Sequence, residues 1–315
     1  MRVDIVIPTY KPDNDFLKLI DTLMTQMSDY VNKVYVMNTE ESLWQKRIPS
    51  DFEERHENLV VTHISKAEFD HALTRHAGML KTTTPYVLFM TQDAVPADDK
   101  FIANLIKALD ENDDVSVAYA RQLPNEKCNK IERQTRDFNY PDTSVIKGKD
   151  DIERLGIKTF FCSNVSAMYK RDIYDKLGGF EGPAIFNEDM VYAGHAVNAG
   201  YKIAYVADAR VIHSHNYTGR EQFHRNFDLG VSQTNHPEVF EGIKSESEGI
   251  KMVIKNAVSL LKRGAVFSIF KLVWLSANKY LGYKKGRNYK ALSKEKIMKY
   301  TMNPGYWDHI CEEKS

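Results

Sequence analysis

Hydrophobic runs of strand length alternate with stretches of helical periodicity from the first residue onward. Val3–Ile7 is a short apolar run closed by Pro8, and Phe16–Met27 repeats apolar residues at helical spacing. Val34–Met37, Leu59–Ile64, Tyr86–Met90 and Val115–Tyr119 read as strands; His71–Leu80 and Phe101–Leu109 read as helices. Strand-like runs separated by helices of about ten residues indicate βαβ units and a largely parallel sheet, hence an α/β fold. Such sheets bind ligands beyond the carboxyl ends of their strands. That rule directs attention to Pro8-Thr9-Tyr10, Asn38-Thr39-Glu40 and Thr91-Gln92-Asp93.

From Gln122 to Lys158 the periodicity fades into a polar, charged segment, which reads as a binding loop or lid. Regular structure resumes at Thr159–Tyr169 and passes through Gly178-Gly179 to a helix near Glu188–Asn198. Gly200 then stands where a C-cap glycine belongs, and Lys202–Val206 is a further strand. No internal repeat and no low-complexity run interrupts the order.

The tail carries two apolar stripes at roughly 100° per residue. Val253, Ile254, Ala257, Leu260 and Leu261 share one face, with Lys251, Lys255 and Lys262 opposite. Val266, Phe267, Phe270, Val273, Trp274, Ala277 and Leu281 share a second, with Lys271 and Lys279 away from it. The phase changes at Gly264, so the pattern predicts two amphipathic helices with a break there, followed by the basic cluster Lys284-Lys285-Gly286-Arg287.

Charge sharpens this division. The chain of 315 residues has 43 Lys+Arg, 43 Asp+Glu and no net charge, which argues against a generic nucleic-acid binder. Residues 251–300 nevertheless hold 13 basic residues against one acid, Glu295, while residues 1–250 carry 29 bases and 39 acids. An acidic body with a basic, apolar tail suits attachment to an anionic surface. The longest apolar stretch, Gly264 to Ala277, is broken by Lys271 and is shorter than the roughly 20 residues of a spanning helix. Cys128, Cys162 and Cys311 lie far apart with no CxxC spacing, consistent with a reducing cytosol. The expectation is a cytoplasmic protein, peripheral at the inner face of the cell membrane.

Four groups of residues could carry chemistry. Asp93, just past an apolar strand, could hold a divalent cation that bridges a diphosphate, or could cap the helix near Ala97–Leu109. Glu188-Asp189 opens a helix, where paired acids either complement the dipole or supply a general base. His213-Ser214-His215 places two imidazoles on one face of a strand, a metal-ligating pattern that also occurs as surface polarity. Arg75, within Phe69-Asp70-His71-Ala72-Leu73-Thr74-Arg75-His76, could pair with phosphate or lie solvated. GxGxxG, P-loop and GxSxG signatures are absent from the sequence.

Together VDIVIPTY at Val3–Tyr10, the strand ending in Thr91-Gln92-Asp93-Ala94, Gly178-Gly179-Phe180 and Asn187-Glu188-Asp189 resemble glycosyltransferase family 2. Phe69-Asp70-His71, Thr74-Arg75, Thr91–Ala94 and His213-Ser214-His215-Asn216-Tyr217-Thr218 resemble its bacterial rhamnosyltransferases of cell-wall polysaccharide and O-antigen synthesis. The resemblance covers about residues 1–230. It implies a GT-A fold, a Rossmann-like mixed and mainly parallel sheet flanked by helices; beyond it, the two amphipathic stretches make residues 231–315 a C-terminal helical extension that is membrane-associated or oligomerising.

The resemblance further implies an inverting transfer of L-rhamnose from dTDP-β-L-rhamnose to a saccharide acceptor, lipid-linked in this reading. Pro8, Thr9 and Tyr10 would line the nucleotide pocket, with Asn38 where the family usually has an Asp that reads the base, and with Arg75 and Gln92 beside the donor. Asp93 matches the metal-binding carboxylate of the DxD motif, with Thr91 and Gln92 replacing its earlier positions; the metal would be Mg²⁺ or Mn²⁺. Asp189 matches the base, and His213 or His215 the late metal-side histidine. A UDP-hexose or UDP-N-acetylhexosamine donor, a non-catalytic GT-A scaffold at the membrane and a homo-oligomer remain open alternatives.

Overall fold

The computed structural model describes residues 1–243, 246–262 and 266–312. Its centre is one nine-stranded mixed sheet ordered β3-β2-β1-β4-β8-β6-β9-β5, with β7 paired to β9. The strands are β1 Val3–Tyr10, β2 Val31–Thr39, β3 Leu59–Ile64, β4 Tyr86–Met90, β5 Val95–Pro96, β6 Val115–Leu123, β7 Val145–Lys147, β8 Ser166–Lys170 and β9 Lys202–Ile212. The helices up to the last strand are α1 Asn14–Thr25, α2 Glu41–Arg47, α3 His71–Lys81, α4 Phe101–Asp110, α5 Lys130–Asn139, α6 Ile152–Leu155, α7 Arg171–Lys176 and α8 Glu188–Asn198. After it come α9 Gly219–Asn235, α10 Pro237–Phe240, α11 Glu246–Lys262, α12 Val266–Arg287, α13 Lys294–Tyr300 and α14 Pro304–Glu312.

Alternation within the strands builds a core on each side of the sheet. Ile5 and Ile7 of β1 and Leu88 and Met90 of β4 pack with Phe16 of α1 and Phe101 of α4. Val6 of β1 and Val87 and Phe89 of β4 point the other way, onto Ala72 and Met79 of α3 and Val191 of α8. Continuous apolar runs are thus what a sheet covered on both faces requires.

Strand direction decides what meets at the sheet edge. β1 pairs parallel with β2 and β4, and β6 parallel with β9, whereas β8 runs antiparallel to both β4 and β6. The carboxyl ends of β4, β6 and β9 and the amino end of β8 therefore share one edge. Asp93, Gln122, His213 and Asn164 all belong to that edge, despite spanning over a hundred residues of chain.

Local capping fixes the elements beside it. The Asp70 side chain accepts the N–H groups of Ala72 and Leu73 at 2.9 Å each, and its other oxygen accepts that of Ala184 at 2.8 Å. This ties the start of α3 to the loop that leads into α8. At the end of α8, Gly200 takes φ +92° while Tyr201 N–H donates to Ala196 O at 2.9 Å, the C-cap read from its sequence position.

Two expectations need correction. Gln122–Lys158 is not a structureless lid: it contains the end of β6, all of α5, β7 and α6, and Lys147 anchors it. The buried Lys147 ammonium donates to Lys158 O at 2.9 Å, Phe161 O at 2.6 Å and Tyr119 Oη at 3.2 Å. Secondly, the boundary placed after residue 230 falls inside α9, and α12 packs along α9 at backbone contact. A Cβ on Gly282 would sit 2.1 Å from Phe223 O, and one on Gly286 2.0 Å from Phe227 O. Only glycines permit this approach. The stripe read from Val266 to Leu281 is accordingly not the packed face; Leu272, Leu275, Gly282 and Gly286 are. The expected break at Gly264 lies outside the described residues.

Candidate active site

A cleft of about 470 Å³ opens at the sheet edge defined above. Its walls include Asp93, His213, His215, Arg75, Glu188, Asp189 and Asn164, with Arg225 of α9 and Lys279 of α12. Six of the residues singled out by sequence, Arg75, Asp93, Glu188, Asp189, His213 and His215, thus come together. Pro8, Thr9, Tyr10, Asn38 and Gln92 do not line it; they lie at the ends of β1 and β2 and just after β4.

Asp93, His213 and His215 converge. Asp93 Oδ2 lies 3.1 Å from His215 Nε2 and 3.5 Å from His213 Nε2, and the two Nε2 atoms are 3.0 Å apart. One ligand atom from each residue falls within 4.8 Å of the others. A carboxylate and two imidazoles at this separation suit a borderline divalent cation. Asp93 does not cap a helix, since α4 begins at Phe101 with Lys100 as its N-cap. Burial would raise its carboxyl, but hydrogen bonds from both histidines outweigh this and hold it well below the usual carboxylate range. Burial pushes His213 the other way, below an ordinary histidine, in favour of the neutral ligand form.

Behind His213 stands a chain of supports that sequence inspection missed. His213 Nδ1 lies 3.0 Å from Gln122 Oε1, so the tautomer that donates from Nδ1 leaves Nε2 free to ligate, whereas the other tautomer donates from Nε2 to Asp93. Gln122 is held by the Arg136 guanidinium and by Ser163 Oγ at 2.9 Å, and Arg136 pairs with Glu132 at 2.7 Å. Gln122 was readable in principle, because it sits at the carboxyl end of a parallel strand. Nothing in the sequence linked Arg136 to it.

The acid pair at the start of α8 divides into two roles. Asn187 precedes it at φ +73°, a left-handed conformation that Asn tolerates better than most residues. Glu188, 6% exposed, meets Arg75 Nη1 at 3.2 Å and Asn164 Nδ2 at 3.0 Å. Burial would raise its carboxyl, yet Arg75 and then His71 hold it below its ordinary value. Arg75 is therefore neither solvated nor free for phosphate; it is only 6% exposed and committed to Glu188 and to His71 O, with its Nε unpartnered.

Asp189 remains partly exposed to the cleft. It accepts N–H groups from Asn164 at 2.9 Å and Met190 at 2.8 Å. Burial and the neighbouring Glu188 charge push its carboxyl up to about 7. A fixed carboxylate that changes protonation near neutrality is equipped to take a proton.

On the β1 side, Gln92 brackets the Tyr10 backbone, accepting its N–H at 2.8 Å and donating to its carbonyl at 3.1 Å. Asn38 was expected to read a nucleobase. It is 0% exposed in this conformation, with Nδ2 2.9 Å from His63 Nδ1 and Oδ1 without a hydrogen-bond partner.

The family model "Glycosyl transferase family 2" matches residues 4–178, more than half of the chain. The chain is 35% identical over 314 residues to "O-antigen chain rhamnosyltransferase RfbN" of Salmonella typhimurium, covering 98% of this chain and 97% of the relative. It is 38% identical over 257 residues to "O-antigen chain rhamnosyltransferase WbaN" of Salmonella anatum, covering 80% of each. Among solved structures, the mannosyltransferase PcManGT from Pyrobaculum calidifontis, in complex with GDP-Man and Mn²⁺, aligns with TM-score 0.62 at 16% identity over 92% of this chain and 88% of its own. S. aureus TarS 1–349 aligns with TM-score 0.51 at 14% identity over 92% and 91%. The fold is GT-A, and the chain belongs to glycosyltransferase family 2.

Proposed function

We propose that this glycosyltransferase is an inverting rhamnosyltransferase that moves L-rhamnose from dTDP-β-L-rhamnose to a lipid-linked saccharide in bacterial polysaccharide synthesis. The observation that carries the reaction type is the placement of Asp189 in the same cleft as the Asp93–His213–His215 cluster. The rhamnosyl donor is supported by the names of the two relatives above.

In this reading the acceptor hydroxyl attacks the anomeric carbon from the face opposite the leaving dTDP. The new C–O bond forms as the sugar–phosphate bond breaks, its electron pair leaves with dTDP, and the hydroxyl proton passes to Asp189. Asn164 holds Asp189 from one side and Glu188 from the other, which keeps the base carboxylate aimed. Asp93, His213 and His215 would hold a divalent cation, Mn²⁺ fitting two imidazoles better than Mg²⁺, which would supply charge neutralisation for the diphosphate. Pro8, Thr9, Tyr10 and Gln92 would support the nucleotide from the β1 side.

The protein would work as a peripheral enzyme on the cytoplasmic face of the membrane, its contact provided by the exposed apolar side of α11 and α12. No helix among the described residues is long and apolar enough to cross a membrane. The test is turnover of dTDP-L-rhamnose with a lipid-linked saccharide against UDP-galactose, UDP-glucose and UDP-N-acetylglucosamine. Release of dTDP together with a rhamnosylated product is expected. Preferential turnover of a UDP-sugar would assign a different donor, and no turnover of any would leave a scaffold.

A further inference from the structure

We propose that Arg225 and Lys279 form a phosphate-binding subsite in the cleft, so that the C-terminal helical region completes the active site. Both side chains line the same cavity as Asp189 and the Asp93–His213–His215 cluster. Among the described residues neither makes an ion pair or a hydrogen bond. The Arg225 guanidinium is instead positioned by aromatic rings, 4.5 Å from the Phe186 centroid and 5.5 Å from that of Tyr217. Stacking uses its face and leaves its N–H fork unspent.

Lys279 sits among charges of mixed sign. Burial pushes its ammonium below the usual lysine range, the Glu132 carboxylate opposes this, and Arg225 and Arg136 add to the fall. Glu132 is already committed to Arg136 at 2.7 Å, so the cluster of Arg136, Arg225, Lys279 and Glu132 carries a surplus of two positive charges. Cations gathered in excess of their counter-ions are unfavourable in the empty protein, and an anion reverses the sign of that interaction. A phosphate or diphosphate matches both the surplus and the fork geometry.

The placement is held by the fold. Gly230 of α9 and Gly282 and Gly286 of α12 permit the backbone contact described above, which fixes Arg225 and Lys279 relative to each other. Two substrates of the proposed reaction bear phosphate, the nucleotide donor and a lipid-linked acceptor. The subsite's place in catalysis rests on that reading; its affinity for phosphate does not.

The experiment titrates the full-length protein with inorganic pyrophosphate in EDTA, which removes any metal contribution. Wild type should bind. Lys279→Met and Arg225→Gln should each weaken binding about tenfold or more, the usual effect of losing a charged hydrogen-bond partner. Lys279→Arg should stay within a few-fold, and thymidine, which has no phosphate, should bind all variants alike. Parallel titrations with dTDP and with a short isoprenyl phosphate in detergent identify the source by which of them weakens. Absence of pyrophosphate binding by wild type, equal binding by all variants, or weakening confined to inorganic pyrophosphate would overturn the proposal. Failure of the wild-type enzyme to turn over dTDP-L-rhamnose would sink the rhamnosyl reading while leaving this result standing.

Discussion

Arg75 Nη1 stands 3.2 Å from Glu188 Oε1, and this contact separates the roles of two adjacent carboxylates. Glu188 is neutralised and buried; Asp189, one residue on, faces the cleft and makes no ion pair among the described residues. Asp189→Asn should therefore fold normally and bind dTDP nearly as wild type, with kcat down about 10²–10⁴-fold, the usual worth of a general base. Glu188→Gln should act on stability instead, by about 3 kcal/mol, because it strands the buried Arg75 charge. Thermal melts beside released-dTDP assays check both; retention of more than about a tenth of turnover by Asp189→Asn would refute the base assignment.

The pH dependence follows from the same pair. Burial and Glu188 raise the Asp189 carboxyl to about 7, and a base works only when deprotonated. Turnover per enzyme should accordingly be low at pH 5.5, climb through neutrality and level off above about pH 8. The acid limb should be lost from the residual activity of Asp189→Asn. A profile flat from pH 5.5 to 8, or one that falls across this range, would contradict the assignment.

The element pattern was legible in the sequence where burial is two-sided, as in Tyr86–Met90, whose bounds coincide with β4, and also in the edge strand β3, where Leu59–Ile64 is β-branched and apolar enough to be read although only Leu59 is fully buried. Amphipathic α5 was not, since its polar residues Glu132, Thr135 and Arg136 face a cleft and blur the usual contrast between core and solvent sides. Asp93, Asp189 and the His213–His215 pair stood out because short motifs carry them. Gln122, Asn164 and Lys279 did not, because their roles arise from strand order and from α9–α12 packing rather than from neighbours in the chain. Lys279 read only as a lysine lying away from an apolar stripe.

Metal binding should depend on the support behind the cluster as well as on its ligands. Asp93→Ala should abolish the rise in Tm that Mn²⁺ produces in wild type and leave the Tm in EDTA little changed. Gln122→Leu keeps all three ligands but frees the His213 ring, and should weaken Mn²⁺ binding about 10–100-fold, the typical loss for such a support. Equal Mn²⁺ affinity for Gln122→Leu and wild type would show that His213 is aligned without it.

The glycine contact between α9 and α12 predicts a steep packing effect. Gly286→Ala places a methyl 2.0 Å from Phe227 O, a backbone atom that cannot turn aside. Helix propensity favours the substitution by up to about 1 kcal/mol, and overpacking opposes it by about 3 kcal/mol. A lower Tm is expected, together with weaker pyrophosphate binding as Arg225 and Lys279 separate. An unchanged or higher Tm would mean the two helices part at little cost.

The exposed side of the tail helices makes the last prediction. Phe267 is 90% exposed, Phe270 71% and Trp274 64%, with Ile254 and Leu261 of α11 exposed as well. On the opposite side of α12, Leu272 and Leu275 already pack with Leu260 of α11 and Ile131 of α5. Trp274 lies against Gly219 at the start of α9, but packing within the chain does not account for Phe267 and Phe270. A second copy of this chain would bring together two stretches that each carry 13 basic residues and one acid between 251 and 300. An anionic bilayer accommodates both features: the rings enter the headgroup boundary, and each nearby Lys or Arg adds about 1 kcal/mol of attraction. Wild type should pellet with phosphatidylglycerol-containing vesicles at low salt and be released by high salt. Phe267→Ser with Phe270→Ser should weaken pelleting strongly yet leave Tm and nucleotide binding intact, because neither ring is buried. Removing the whole tail is a poorer test, since it would strip α9 and take Lys279 from the cleft. Undiminished pelleting of the double variant, or a change in its oligomeric mass without any vesicle binding by wild type, would assign this face to another partner.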